Sequence, residues 1–498
     1  MANPLYDALF GRHAQNPDTF LILPDGREIS YQSFVAQAAG YAQAITDLGL
    51  KPGDRLAIQV EKSAQALALI AGCIQAGIVF LPLNTGYTVE ELRYFVENSG
   101  ARLVVCDAAK AQDIAQIGVP VETINADGDG SLSQKAAGIT QFATVARSGD
   151  DLAAFLYTSG TTGRSKGAML SQDNLLSNAR TLVTEWRFTR SDVLLHALPI
   201  FHTHGLFVAT NVMMLVGGKM IFMPKFDKDQ MLEWMPKATS LMGVPTFYTR
   251  LLSDPCFTKD LAQHMRLFVS GSAPLLAETH VQFEQRTGHR ILERYGMTET
   301  NMNTSNPYDG ARRAGTVGFP LPDVELKVTD PETGETLPAG DIGVIEVRGP
   351  NVFQGYWQMP EKTAAELRSD GFFITGDLGK VDEDGYVHIL GRNKDLIISG
   401  GFNIYPKEIE QILDDQPGVL ESAVIAAPHP DFGESPVGVL VPMPDQTLSL
   451  DAISDAIAVS LAKFKHPKKL VVLDALPRNT MGKVQKNVLR EMFKDLFV

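Results

Sequence analysis

Short apolar runs of strand length recur along most of this chain, and segments of helical periodicity separate them. The runs are Arg55 to Val60, Leu103 to Cys106, Ala153 to Tyr157, Val193 to Ala197, Met220 to Met223, Leu241 to Val244 and Leu267 to Ser270. Strands joined by helical crossovers pair in parallel, so the alternation predicts an α/β fold of parallel-rich sheets covered by helices. The chain has 498 residues, more than one hydrophobic core can organise, which predicts at least two domains. From Gly315 to Val347 the character changes to short strands and turns, punctuated by Pro320, Pro322, Pro331 to Gly334 and Pro338 to Asp341. We expect a small β-rich subdomain there, at about 315–391. After Lys394 an α+β pattern follows: strand Leu396 to Ser399, helix near Pro406 to Leu413, strand Ser422 to Ala426, helix near Leu450 to Leu461 and strand Lys469 to Leu473. The expected division is therefore 1–393 and 394–498.

The formal net charge of −14 argues against general nucleic-acid binding, because a phosphate backbone is repelled unless cations are strongly clustered. Cys73, Cys106 and Cys256 are odd in number, far apart and without a C-x-x-C pair, so neither a disulfide framework nor a structural zinc site is expected and a reducing cytoplasm fits. Residues 1–7 show no basic region followed by an apolar run, hence no secretory signal. The charge-free stretch Ser63 to Val89 is long enough to span a bilayer, but it breaks at Ala76-Gly77 into a helix-like half and a strand-like half, Ile78 to Leu81. It reads as a buried helix and a buried strand, with no membrane insertion.

Directly after the run ending at Tyr157 comes Thr158-Ser159-Gly160-Thr161-Thr162-Gly163-Arg164-Ser165-Lys166-Gly167. Glycines let backbone N–H groups approach an anion, hydroxyls add neutral donors, and Arg and Lys supply charge-assisted hydrogen bonds, so the loop is built to wrap phosphate. It is no Walker A loop, since the G-x-x-x-x-G-K-[ST] spacing fails.

Six further motifs follow in order: His202 to Gly205, Ser270 to Pro274, Tyr295 to Glu299, Thr375 to Asp377, Gly391 to Asp395 and Pro477 to Lys483. With the loop they make the chain resemble, over nearly its whole length, the adenylate-forming superfamily of acyl-CoA synthetases, luciferases and peptide-synthetase adenylation domains. Within it, Glu293 to Asn303 resembles the malonyl-CoA synthetases most closely. The resemblance implies ATP, Mg²⁺ and coenzyme A. It assigns Thr158, Ser159, Gly160, Thr161, Thr162, Gly163 and Lys166 to phosphate, Tyr295 to adenine beside Thr298, Asp377, expected after a tight turn, to the ribose hydroxyls, Arg392 to a second ribose or phosphate contact, and Glu299 to Mg²⁺, against the plainer alternative of a helix-capping carboxylate. Lys483 becomes the lysine that stabilises charge during adenylation, Lys394 the hinge of a mobile C-terminal domain, and Gly400 and Gly401 a pantetheine tunnel.

For the acid, the resemblance places His204 beside the acyl pocket; a satisfied core histidine is the alternative. Arg294 is the sharper clue, since a fork of N–H donors at the closed end of the pocket fits a second carboxylate. Its alternative is a structural pair with Glu293 or Glu299. Arg250 is a candidate second cation, and Ser270 and Ser272 are candidate hydroxyl donors. Malonate is the shortest acid that satisfies such a pocket, and methylmalonate adds one methyl. The rival readings are a synthetase for a short monocarboxylate, a stand-alone adenylation enzyme that loads a carrier protein, and a luciferase-like oxidative enzyme. Lys463, Lys465, Lys468 and Lys469 form the densest basic cluster, either for the CoA phosphates or as a solvated face. Oligomeric state is left open.

Overall fold

The computed structural model describes residues 3–158, 165–399, 402–479 and 482–497. Two compact units divide the chain: Met1–Ala314 with Gly318–Glu325 and Val347–Phe373, and Gly315–Val317 with Leu326–Glu346 and Ile374–Val498. The second unit thus joins part of the segment expected as the β-rich subdomain to the C-terminal segment, Gly318–Glu325 and Val347–Phe373 staying with the first unit, and the compact units do not divide at 393/394. Within it, the helix Pro406–Asp414 packs on the strand Val387–Arg392, which draws the two segments together.

The first unit holds two sheets, and all seven runs expected as strands lie in them. One has the order Val121–Thr123, Leu103–Cys106, Arg55–Gln59, Val79–Pro82, Leu152–Thr158, Lys166–Ser171, parallel except for its last pair. The other has a parallel centre formed by Leu292–Met297, Leu267–Ser270, Ser240–Gly243, Val193–His196, Lys219–Phe222 and Thr19–Ile22, with antiparallel edges. Its inner strands are buried along their length, as helices on both faces of a parallel sheet require. The charge-free stretch resolves as expected into the helix Ala64–Ala76, capped by the Ser63 hydroxyl and ended by Gly77 at φ +70°, and the buried strand Val79–Pro82. No helix among the described residues is long and apolar enough to cross a membrane.

The second unit is built from a four-stranded sheet, Glu325–Thr329, Gly343–Arg348, Phe373–Val381 and Val387–Arg392, and a sheet of Phe402–Ile404, Ile397–Ser399, Gly433–Pro442, Val419–His429 and Lys469–Val472. Two local expectations change. Thr375-Gly376-Asp377 lies within a strand, kinked where Gly376 takes φ +70°, and not after a tight turn. Glu299 caps no helix: it stands in the turn between the antiparallel strands Leu292–Met297 and Asn301–Ser305. The two strands approach so closely at Gly296, where their register shifts, that a Cβ there would meet the Asn301 carbonyl oxygen at 1.9 Å.

Candidate active site

Thr158 and Lys166 are paired residues at the mouth of the antiparallel hairpin Leu152–Thr158 and Lys166–Ser171. Ser159, Gly160, Thr161, Thr162 and Gly163 lie outside the described residues. The loop's far end is held where the Tyr94 hydroxyl donates to the Ser165 carbonyl at 2.7 Å. The segment Gly355 to Trp357 runs beside the hairpin, with Met169 N–H donating to the Gly355 carbonyl and Trp357 N–H to the Gly167 carbonyl. This brings in Tyr356, a residue the motifs did not indicate. Lys166 Nζ is 4.1 Å from the centre of the Tyr356 ring and 3.5 Å from Glu366 Oε2, and the Tyr356 hydroxyl donates to Glu299 Oε1 at 3.0 Å.

Burial, and then the charges of Glu299 and Glu366, push the Tyr356 hydroxyl far above the range where it titrates, so it stays a donor. Burial raises the Glu366 carboxyl, but Lys362, the Tyr356 hydroxyl and Lys166 outweigh it and hold the group below the usual carboxylate range. Lys166 and Glu299 are therefore linked through one aromatic ring. No group of three or more His, Cys, Asp or Glu gathers among the described residues into a metal cage. One buried carboxylate with a hydroxyl fixing one of its oxygens fits Mg²⁺, which takes one or two carboxylates and completes its shell with phosphate and water.

Arg294, on the same strand as Tyr295, is only 4% exposed. Its guanidinium lies over Gly271 so closely that a Cβ there would come within 2.2 Å of Cζ. Nε and Nη2 have no hydrogen-bond partner, and among the described residues no carboxylate pairs with the side chain. Glu293 faces His280, with Oε1 3.4 Å from Nδ1, and Glu299 receives Tyr356, so neither supplies a structural pair for Arg294. Burial pulls the guanidinium down to about 9, a direction that the neighbouring Tyr248 opposes.

Around it, His204 Nδ1 is 3.2 Å from Ser272 Oγ, while His204 Nε2 and Ser270 Oγ are buried without partners. Ser272 holds φ +70°, an unusual conformation for a residue with a side chain. Burial first, then the charge of Arg294, keeps His204 neutral. Thr203 donates to Asn301 Oδ1 at 2.8 Å, which ties the His202 to Gly205 motif to the one running from Glu293 to Asn303. His204 is thus not a satisfied core histidine. Arg294, His204 and Ser270 are each buried with unpartnered polar atoms, and the half-buried Ser272 meets His204. Arg250 does not join them: it is exposed on the helix Pro245–Leu252, with its guanidinium 5.7 Å from the Phe226 ring centre. Tyr295 and Thr298 are half-buried, on the strand and in the turn that follows it.

In the second unit, Asp377 and Arg392 face each other across the pair of strands, with Arg392 Nε 2.8 Å from Asp377 Oδ1. Arg392 Nη1 also donates to the Thr375 carbonyl at 3.2 Å, and Asp377 N–H donates to Thr375 Oγ1 at 3.0 Å. A buried carboxylate is thereby oriented by a cation, while the Thr375 hydroxyl holds the Asp377 backbone. Lys394 is exposed on the 3₁₀ turn Asn393–Asp395, whose Asp395 pairs with Arg490. Gly400 and Gly401 lie outside the described residues.

Lys483 is exposed and tied to Asn479, whose N–H donates to the Lys483 carbonyl while Lys483 N–H donates to Asn479 Oδ1, both at 2.9 Å. Gly482, directly before it, takes φ +76°, a conformation suited to glycine. In the basic cluster, Lys465 is engaged by Glu408 at 2.6 Å, while Lys463, Lys468 and Lys469 are exposed.

The family model described as AMP-binding enzyme matches residues 10–357, and that of the AMP-binding enzyme C-terminal domain matches 408–483. A malonate–CoA ligase of Arabidopsis thaliana is 32% identical over 99% of this chain and 89% of its own length. A feruloyl-CoA synthase of Amycolatopsis sp is 33% identical over 97% of both chains. Among solved structures, ATP-bound MatB from Rhodopseudomonas palustris superposes with a TM-score of 0.97 at 59% identity, covering 100% of both chains.

Proposed function

The chain belongs to the AMP-binding enzyme family, and from that premise we propose that it joins malonate to coenzyme A. Malonate and ATP give malonyl-adenylate and pyrophosphate, and the CoA thiol then displaces AMP to leave malonyl-CoA. Family membership alone leaves the acid open, since relatives of nearly equal identity are named for malonate and for ferulate. The observation that carries the choice is the buried, unpaired guanidinium of Arg294. An apolar acyl tail would leave it desolvated and unpaired, whereas a second carboxylate accepts from Nε and Nη2 as a bidentate pair. Malonate is short enough to place its other carboxylate at His204 and Ser272, and methylmalonate differs from it by one methyl, a discrimination worth about 1–3 kcal/mol.

In the adenylation step the loop from Thr158 to Lys166 holds the β- and γ-phosphates, Tyr295 stacks on adenine beside Thr298, and Asp377 accepts from the ribose hydroxyls while Arg392 orients it. Glu299, fixed by Tyr356, would hold Mg²⁺, which when bound would supply neutralising charge for the phosphates. His204 is kept neutral, so it offers a hydrogen bond to the reacting carboxylate without competing for the Arg294 charge. Lys483 then stabilises the negative charge that develops between carboxylate and α-phosphate. We assign the exchange of half-reactions to movement of 394–498 about Lys394, which withdraws Lys483 and brings Ser399 and the glycines Gly400 and Gly401 to the pantetheine. We place the reaction in the cytoplasm, where the free Cys73, Cys106 and Cys256 remain reduced.

The test is thioester formation from ATP, Mg²⁺ and free CoA across acetate, propionate, butyrate, octanoate, malonate, methylmalonate and succinate. Preference for malonate is expected. Preference for a monocarboxylate would overturn the substrate, and adenylate formation without thioester would favour an enzyme that loads a carrier protein.

A further inference from the structure

Lys62 follows the strand Arg55–Gln59, directly before Ser63, the cap of the helix Ala64–Ala76. Lysines in loops are normally solvated, but this one is 8% exposed. Its Nζ lies 2.8 Å from the His196 carbonyl oxygen, 3.2 Å from His196 Nδ1 and 4.3 Å from the centre of the Phe222 ring, and among the described residues no carboxylate pairs with it. His196 ends the strand Val193–His196 of the other sheet. A buried lysine whose polar partners both belong to a single histidine is an expensive arrangement to keep for packing alone.

The donors and acceptors fix the state of that histidine. His196 Nε2 is 3.0 Å from the Gly205 carbonyl oxygen, which can only accept, so Nε2 carries the proton. In a neutral ring Nδ1 is then a lone pair facing the Lys62 N–H. A doubly protonated ring would instead turn an N–H toward the amine. Burial disfavours charge on both groups, in the same sense.

The Gly205 carbonyl also accepts from Thr210 Oγ1 at 2.9 Å. Residues His204–Thr210 form a π-helical turn, a wide turn that recurs where function needs a distorted helix. The backbone there has no slack, since a Cβ on Gly205 would come within 2.1 Å of the Pro199 carbonyl oxygen. His204 is the first residue of this turn, so the position of the Gly205 carbonyl sets where the His204 ring stands against Ser272.

We propose that Lys62 is a positioning residue for acid activation: it holds His196 in the Nε2–H tautomer, His196 anchors the Gly205 carbonyl, and the anchored turn aims His204 into the pocket beside Arg294. The inference rests on the reading that the acid's reacting carboxylate lies at His204.

Two measurements on the full-length protein test it. In ¹⁵N-histidine-labelled protein near neutral pH, with His196 assigned by its loss in His196→Gln, the Nε2–H tautomer is expected; an Nδ1–H ring or an imidazolium would overturn the proposal. In steady-state adenylation, Lys62→Met is expected to raise KM for malonate about tenfold, the scale of one lost hydrogen bond, with KM for ATP unchanged within about twofold. Adding His196→Gln to Lys62→Met places an amide donor toward Gly205 that needs no lysine, and is expected to bring the malonate KM back to within about threefold of the parent. Parallel rises in both KM values, or no change in either, or failure of this rescue would refute the role. If Lys62→Met does not fold, the tautomer decides. Were the parent enzyme to prefer another acid, the proposed substrate would fall and the same comparison would be read with that acid.

Discussion

Replacing Arg294 by methionine keeps most of the side-chain volume and removes the guanidinium, and its consequences for free protein and for catalysis run in opposite directions. The pull on the guanidinium from its ordinary value to about 9 corresponds to on the order of 5 kcal/mol of desolvation, which no carboxylate among the described residues offsets. An apolar replacement removes that cost, and by analogy with buried charges exchanged for packed hydrophobes the variant should be as stable as the parent or up to about 4 kcal/mol more so. Malonate, by contrast, loses a bidentate charge-assisted partner, a loss of about 3–5 kcal/mol, or about 10²- to 10⁴-fold in kcat/KM. Propionate, which carries a methyl where malonate carries its second carboxylate, is the control. Its kcat/KM should rise in Arg294→Met, so that the propionate-to-malonate ratio inverts while KM for ATP stays within about twofold. The assay is pyrophosphate release at saturating ATP with each acid in turn, beside a thermal melt without acid. A variant that melts well below the parent, or that retains malonate kcat/KM within tenfold, would refute the assignment and make Arg294 a structural residue.

Lys483→Ala should slow adenylate formation by about 10²- to 10³-fold, the scale of one lost charge-stabilising donor, and leave thioester formation from supplied malonyl-AMP within about threefold; equal loss in both half-reactions would contradict its role. Tyr356→Phe keeps the ring beneath Lys166 and removes the donor to Glu299, so malonate-dependent ATP–pyrophosphate exchange should fall about tenfold, and an unchanged rate would remove Tyr356 from the site. Asp414, on the helix Pro406–Asp414, has its carboxyl pushed up to about 6 by burial, with Lys407 and the Ser422 hydroxyl working against the rise. Its folded-state value is above the unfolded one of about 3.9, so the folded protein holds the proton more tightly and loses stability as pH rises from about 4 through 6. Asp414→Asn should therefore be more stable by about 1–3 kcal/mol at pH 7.5, with the gain vanishing near pH 4; denaturant titrations at both pH values that show a pH-independent difference would contradict this.

The parallel sheets were legible because their strands are uninterrupted apolar runs, as Leu103 to Cys106 and Leu267 to Ser270 illustrate. The long strand Gly433–Pro442 was not, since Pro436 and Gly438 break its pattern and its burial comes from pairing with Val419–His429 and Lys469–Val472. Arg294 announced itself as a cation inside a motif, but its lack of a carboxylate partner among the described residues emerges only when Glu293 is seen to face His280 and Glu299 to receive Tyr356. Tyr356 was missed because it reaches Glu299 from more than fifty residues away in sequence; the aromatic pair Tyr356-Trp357 after Gly355 was the available signal. Lys62 carried no signal, as a lone lysine in a loop reads as solvated until the two sheets close around it. Arg250 is the converse case: a cation suggestive in sequence, it is exposed on its helix.

The central claim is that malonate is activated by attack of its carboxylate on the α-phosphate of ATP. Turnover of uniformly ¹⁸O-labelled malonate with unlabelled ATP and CoA, followed by mass spectrometry of the nucleotide and the thioester, tests it directly. One ¹⁸O in each AMP, formed in step with malonyl-CoA, is the predicted result; label in ADP or inorganic phosphate, or no malonate-dependent AMP at all, would contradict it.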